Sequence, residues 1–171
     1  MRFALAPVAL SVALGFMVAA HARTTVETQQ STAYDVPNGW SVARWSEMTG
    51  EAILTNEAGD TLTVERHGLK GAPTSYPNSE KLTAGRTLTW EYVEYRKKEI
   101  DASQLYGEIK FADAIVRIAV WRASPPLSSS PVNKETGLVA MRSVAASLKI
   151  LGPRKCWPPG DCPPGEVKVS K

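Results

Sequence analysis

The run Glu51-Ala-Ile-Leu-Thr-Asn-Glu-Ala-Gly-Asp-Thr-Leu-Thr-Val-Glu-Arg66 carries the clearest structural pattern in the chain. Glu51 to Thr55 reads as extended, Glu57-Ala58-Gly59-Asp60 has the composition of a turn, and Thr61 to Arg66 alternates apolar and polar residues with period two. That pattern specifies a β-hairpin with one buried face. Working upstream, Ser31 to Val36 reads as a short strand and Pro37-Asn38-Gly39 as a turn. Trp40, Val42 and Arg44 then alternate with Ser41, Ala43 and Trp45. Downstream, Gly68 to Ser79 is rich in Gly, Pro and Ser and predicts a long loop, with a helical turn over Ser79 to Ala84. Leu88, Trp90 and Tyr92 share one face of a strand over Thr87 to Tyr95, a composition suited to a half-buried pleated surface. Lys97 to Gln104 reads as a charged turn, Leu105 to Phe111 as a strand, and the nearly continuous apolar run Ala114 to Trp121 as a central strand.

One convincing helix closes the pattern. Leu138, Met141, Val144, Ala145 and Leu148 recur at three- and four-residue steps, Arg142 and Lys149 fall off that face, and Gly152-Pro153 is the expected stop. Strands followed by a helix predict an α+β fold, an antiparallel β-sheet with a C-terminal amphipathic helix packed on it. The predicted domain spans residues 31–152. Residues 23–30 are expected to be a flexible lead-in, and residues 153–171 a Pro-rich tail.

The first 22 residues have another character. Arg2 precedes an apolar run from Phe3 to Ala20, broken by Pro7, Ser11 and Gly15, and Ala20-His21-Ala22 follows. This is the pattern of a cleavable secretory signal peptide. Small side chains at Ala20 and Ala22 suit a signal peptidase, which would leave Arg23 as the new N-terminus. An uncleaved anchor is the competing reading, and Pro7 and Gly15 weaken it. No later segment reaches the ~18 apolar residues of a membrane-spanning helix, so the expectation is a periplasmic or secreted protein that is not embedded in the membrane after cleavage.

The 171 residues less the first 22 leave 149, enough for one domain with its own core. Arg2 is the one charged residue of the signal. The mature chain therefore carries 19 basic against 17 acidic residues, interspersed, and no nucleic-acid partner is implied. Cys156 and Cys162 stand in Cys-Trp-Pro-Pro-Gly-Asp-Cys, where Pro159-Gly160 suits a type II turn that brings the two together. In an oxidising compartment they read as a disulfide, one that closes a short loop and contributes about 2 kcal/mol. A thioredoxin-type redox pair would need C-x-x-C at a helix start. Zinc would need two further ligands, and the mature chain has one histidine.

That histidine, His67, follows the alternation of Leu62 and Val64 and reads as a partly exposed strand-end residue. No nucleophile elbow, zinc-protease motif or phosphate loop occurs, and no catalytic residue, metal or cofactor is assigned. Two carboxylates from distant segments could still meet in the fold and support glycoside hydrolysis. Glu91 and Glu94 lie on opposite faces of their strand and do not suit that role. Trp90, Tyr92 and Trp121 read as core residues. Trp45, Tyr76 and Trp157 stand at strand ends or in loops, where aromatic side chains either pack down on their own domain or serve protein contacts.

Tyr34-Asp-Val-Pro-Asn-Gly-Trp40, the hairpin turn Asn56-Glu-Ala-Gly-Asp60 and the closing Met141-Arg-Ser-Val-Ala-Ala-Ser-Leu148 together resemble the PsbP-like fold over about Tyr34 to Leu148. The resemblance implies a two- or three-layer sandwich. It also implies a role in binding without catalysis, as in photosystem accessory subunits, small exported bacterial proteins and periplasmic immunity proteins. It carries no active site, and the Cys156 to Cys162 tail lies outside it. The expected function is thus an exported protein-binding module, most concretely an inhibitor or immunity protein that neutralises a secreted antibacterial effector. Lys70 and Tyr76 on the Gly68 to Ser79 loop would make the contact, with Ser124 to Pro131 as a second candidate loop. The alternatives are an accessory subunit of an envelope assembly, binding through the tail and Trp157, and a cell-wall or polysaccharide hydrolase with paired carboxylates.

Overall fold

The computed structural model describes residues 24–28, 30–45, 51–68, 75–83, 85–97, 100–122, 132–152 and 169–170. The hairpin is present as β4 (Ala52–Asn56) and β5 (Asp60–Gly68), paired antiparallel with Leu54 opposite Leu62. Gly59 closes the turn at φ +82, in the left-handed region where a side chain would be strained. Asp60 is locked across it, its backbone N–H donating to Asn56 Oδ1 at 2.8 Å and its carboxylate accepting from Asn56 Nδ2 at 3.0 Å.

Around this hairpin a seven-stranded antiparallel sheet is built in the order β3-β4-β5-β9-β8-β7-β6, adding β3 (Trp40–Trp45), β6 (Asn78–Lys81), β7 (Thr87–Lys97), β8 (Ile100–Lys110) and β9 (Ala114–Arg122). β9 is central as its apolar run predicts, paired with β5 along one side and β8 along the other. A second sheet has the order β10-β2-β1-β11 and is formed by β1 (Thr25–Glu27), β2 (Thr32–Asp35), β10 (Lys149–Ile150) and β11 (Val169–Ser170). The helix α1 (Lys134–Ser147) is capped by Asn133, whose side chain accepts from Thr136 N at 3.0 Å. The chain is α+β, mostly antiparallel sheet with one helix among the described residues.

A single apolar cluster joins the elements. It draws Leu54, Leu62, Val64, Leu88, Leu105, Ile109, Val116, Ile118 and Val120 from the large sheet, Val26 and Tyr34 from the small one, and Leu138, Met141, Val144 and Ala145 from α1. Each fully buried side chain of this size contributes about 1.5–3 kcal/mol. Helix and sheet meet at two glycines: a Cβ on Gly107 would run into Met141 Sδ, and one on Gly137 would lie 3.5 Å from Leu105 Cδ2 on β8.

Several expectations are corrected. Residues 23–30 are not a loose lead-in where described: Thr25–Glu27 forms β1 with Val26 fully buried, and a tight turn links it to β2. In that turn Thr28 N donates to Thr32 O at 2.8 Å, and Ser31 takes φ +56. A single apolar residue in a polar run leaves no period to read. The Ser79 to Ala84 segment holds an edge strand, not a helical turn, because Asn78 to Lys81 pairs with Trp90 to Thr87. Of the charged stretch expected to turn, Lys97 and Ile100 to Gln104 are strand, with Lys97 opposite Ile100. The helix stops at Ser147, before Gly152-Pro153, because Lys149 and Ile150 pair with Ala33 and Thr32. The tail is not wholly separate, since Val169 and Ser170 pair with β1. Trp121 is half-buried on the sheet face opposite Ile118 and Val120 rather than in the core.

Candidate functional site

A cleft of about 540 Å³ lies at the C-terminal end of α1. Asp35, Val36 and Asn38 line it from the end of β2 and the turn after it, Arg86 from the approach to β7, and Ser143, Ala146, Ser147 and Lys149 from the end of the helix and β10. Its volume falls in the range of pockets that seat small molecules or partner side chains.

Each wall is held by local bonding. The turn over Leu82 to Arg86 closes through Gly85 N to Leu82 O (2.9 Å) and Leu82 N to Arg86 O (2.7 Å), with Gly85 at φ +74, and so aims Arg86 at the helix end. Arg86 donates to Leu148 O, and to Ala146 O at 3.1 Å, while its guanidinium lies 5.4 Å from the centre of the Phe111 ring. The last turn of α1 has no basic residue of its own. Arg86 therefore supplies, from another element, the positive charge that complements the helix's negative pole of about half an elementary charge. Asp35 N donates to Ser147 Oγ at 2.9 Å, and Asp35 Oδ1 accepts from Thr25 Oγ1 at 2.9 Å. The acid of the cleft is thus engaged with the small sheet. Lys149, Asn38 and Ser143 are exposed and present donors to the opening.

A second constellation lies on the large sheet's other face. Glu65 on β5 and Glu108 on β8 flank Arg117 on the central strand, each in direct cross-strand register with it. Arg117 Nε donates to Glu108 Oε2 at 3.2 Å, and Glu108 is buried. His67 is 39 % exposed with Nε2 3.4 Å from Glu65 Oε2, at the strand end as its sequence position predicts. The close approach of His67, aided by the charge of Arg117, holds the Glu65 carboxyl below its usual range against the opposing effect of burial. Glu65 and Glu108 stand on either side of Arg117, whose charge helps to favour the charged form of Glu65. A general acid for glycoside hydrolysis needs the opposite, one carboxyl kept protonated.

A third group is internal. Arg66 donates to Gln30 O (3.2 Å), Gly152 O (2.6 Å) and Asp113 Oδ2 (3.3 Å), and its backbone N–H donates to the buried Glu51 Oε1 at 3.2 Å. Beside it Tyr34 is 1 % exposed, and its hydroxyl has no hydrogen-bond partner among the described residues. Burial, reinforced by the Glu51 carboxylate, pushes its phenol far above the usual tyrosine range. This group joins the two sheets and does not open onto the cleft.

Tyr76 is half-buried and already engaged with the rest of the fold. Lys70, Trp157, the Cys156 and Cys162 pair, the Ser124 to Pro131 loop and the cleavage residues Ala20, Ala22 and Arg23 lie outside the described residues. The cleft escapes sequence reading because its walls come from three distant segments.

No family model matches the chain, and no curated protein matches it in sequence. Among solved structures it is similar to the solution structure of cyanobacterial PsbP (CyanoP) from Synechocystis sp. PCC 6803 at 12% identity and a TM-score of 0.45, covering 80% of this chain and 98% of that one. That neighbour bears the name of the family whose weak resemblance was read from the sequence.

Proposed function

We propose that the protein is an exported, non-enzymatic protein-binding module of the cell envelope, built on a PsbP-like layered sandwich in which the helix packs on the sheet. In its most concrete form it is a periplasmic inhibitor or immunity protein against a secreted effector. The observation that carries this reading is the cleft at the end of α1. Arg86 offsets the helix pole and the Asp35 carboxylate accepts from Thr25 Oγ1, while the Lys149 ammonium, the Asn38 amide and the Ser143 hydroxyl line the cleft as exposed donors. Such a set suits an acidic side chain of a partner protein, which it would bind by charge-assisted hydrogen bonds. The contact expected of Lys70 and Tyr76 moves in this reading to the helix end.

The test is capture from envelope extract by the chain from Arg23 onward, compared with its Lys149→Glu variant and with Lys110→Glu on β8 as a control away from the cleft. The wild type and control should retain one common partner, and Lys149→Glu should lower its affinity at least about tenfold, the size of one lost charge-assisted contact. Equal capture by all three proteins rules out the cleft as the seat. A wild type that retains nothing overturns the binding reading itself.

A further inference from the structure

We propose that the mouth of the cleft receives Glu135 from a second copy of this chain, the two α1 helices lying antiparallel across a two-fold axis. The proposal rests on the reading above that the cleft's donors take an acidic side chain, and it names the bearer of that acid.

The outer face of α1 supplies the surface. Leu138, Met141, Val144 and Ala145 are buried on one side of the helix, whereas Glu135, Thr136, Val139, Ser143 and Ala146 are exposed on the other. At about 3.6 residues per turn those five fall on one stripe. Val139 stands within it at 63% exposure, and Leu151, two residues past Lys149, is 51% exposed; these are the large apolar side chains left open to solvent among the described residues. Apolar side chains at both ends of a polar, charged strip have the composition of a protein interface.

Charge decides the occupant. Glu135 is the acid of the first turn, and Lys149 stands two residues beyond the last, at the opposite end of the stripe. Both are exposed, and neither forms an ion pair among the described residues. Within one copy they are about 20 Å apart along the helix direction and cannot meet. A two-fold axis passing midway between Val139 and Ala146 joins them between copies. Glu135 lies about 11 Å to one side of that midpoint and Lys149 about 10 Å to the other, so an antiparallel neighbour brings its Glu135 beside Lys149. The same operation sets Val139 of each copy against Ala146 of the other, the reciprocal pairing that an isologous interface requires.

Two further features favour this packing. Arg142, the cation nearest the axis, is held to Glu80 of its own chain by two hydrogen bonds of 2.7 Å, so the copies do not bring bare like charges together. Antiparallel helices also place the positive pole of each beside the negative pole of the other.

Sedimentation equilibrium of the chain from Arg23 onward is the test. The wild type should associate to twice its monomer mass with a Kd of about 0.1 mM or tighter. Each single reversal, Glu135→Lys or Lys149→Glu, alters two symmetry-related pairs and should weaken the dimer at least about tenfold. The double variant Glu135→Lys/Lys149→Glu recreates both pairs with the signs exchanged and should return to within about threefold of the wild type. A wild type that stays monomeric to about 1 mM, single reversals without effect, or a double variant no better than its singles overturns the proposal. A monomer whose envelope capture still depends on Lys149 leaves the cleft reading standing without the second copy. A charge-dependent dimer whose capture ignores Lys149 supports the second copy and removes the foreign partner from the cleft.

Discussion

Glu65 shows how one side chain reports on its neighbours. Its partner His67 is two residues along the same strand face and so was legible in the sequence, whereas Arg117 and Glu108 come to it only through the pairing of β5, β9 and β8. A carboxyl held below its ordinary value of 4.5 contributes stability that is complete above that value and is lost as the pH falls through the lower folded value. The melting temperature of the wild type should therefore drop more steeply between pH 5 and pH 3 than that of Glu65→Gln. Parallel curves would show that the His67 and Arg117 contacts do not couple to folding.

At the level of elements, what could be read was what repeats. The β4–β5 hairpin alternates strictly, β9 is continuously apolar, and α1 shows its stripe, so type and position follow from local chemistry. β6, with the sequence Asn-Ser-Glu-Lys, is an edge strand that buries little and has no apolar period to betray it. β10 is two residues long and exists because β2 is beside it. The helix–sheet contact is equally invisible, since nothing about Gly107 in sequence says that Met141 sits over it. Replacing a strand glycine by alanine ordinarily gains about 0.5–1 kcal/mol, but here the new Cβ would run into Met141 Sδ and meet Leu88 Cδ1 at 3.1 Å. Gly107→Ala should thus destabilise by about 1–3 kcal/mol in urea unfolding. The double variant Gly107→Ala/Met141→Ala should lose less than the sum of its singles, because the second change vacates the space the first needs. Strict additivity would mean that the two residues do not touch.

Over the whole molecule, Arg66 is the bolt between layers. From the large sheet it reaches the backbone before β2, the end of β10 and the turn before β9 while only 7 % exposed. In sequence the period that buries Leu62 and Val64 puts Arg66 on the same face, but nothing there names the carbonyls it reaches. Arg66→Met should cost roughly 1–3 kcal/mol for each buried carbonyl left unpaired, and amide exchange should quicken in β1 and β2 before it does in β5 and β9. Uniform loss of protection across both sheets would argue against a bolt between separable layers. The candidate site is likewise a property of the assembled whole, since Asn38, Arg86 and Lys149 converge through tertiary packing alone.

The antiparallel pairing of β1 with β11 also has a mechanical consequence. With Thr25 opposite Ser170, the chain enters β1 and leaves β11 at the same end of one rung, about a strand spacing of 5 Å apart. Tension applied between those two points would pull across the strands rather than along them, peeling the rungs singly like a zipper instead of shearing them together. A tether fixed at both ends of the domain would thus release the small sheet at low force and leave the seven-stranded sheet unloaded until the peel was complete.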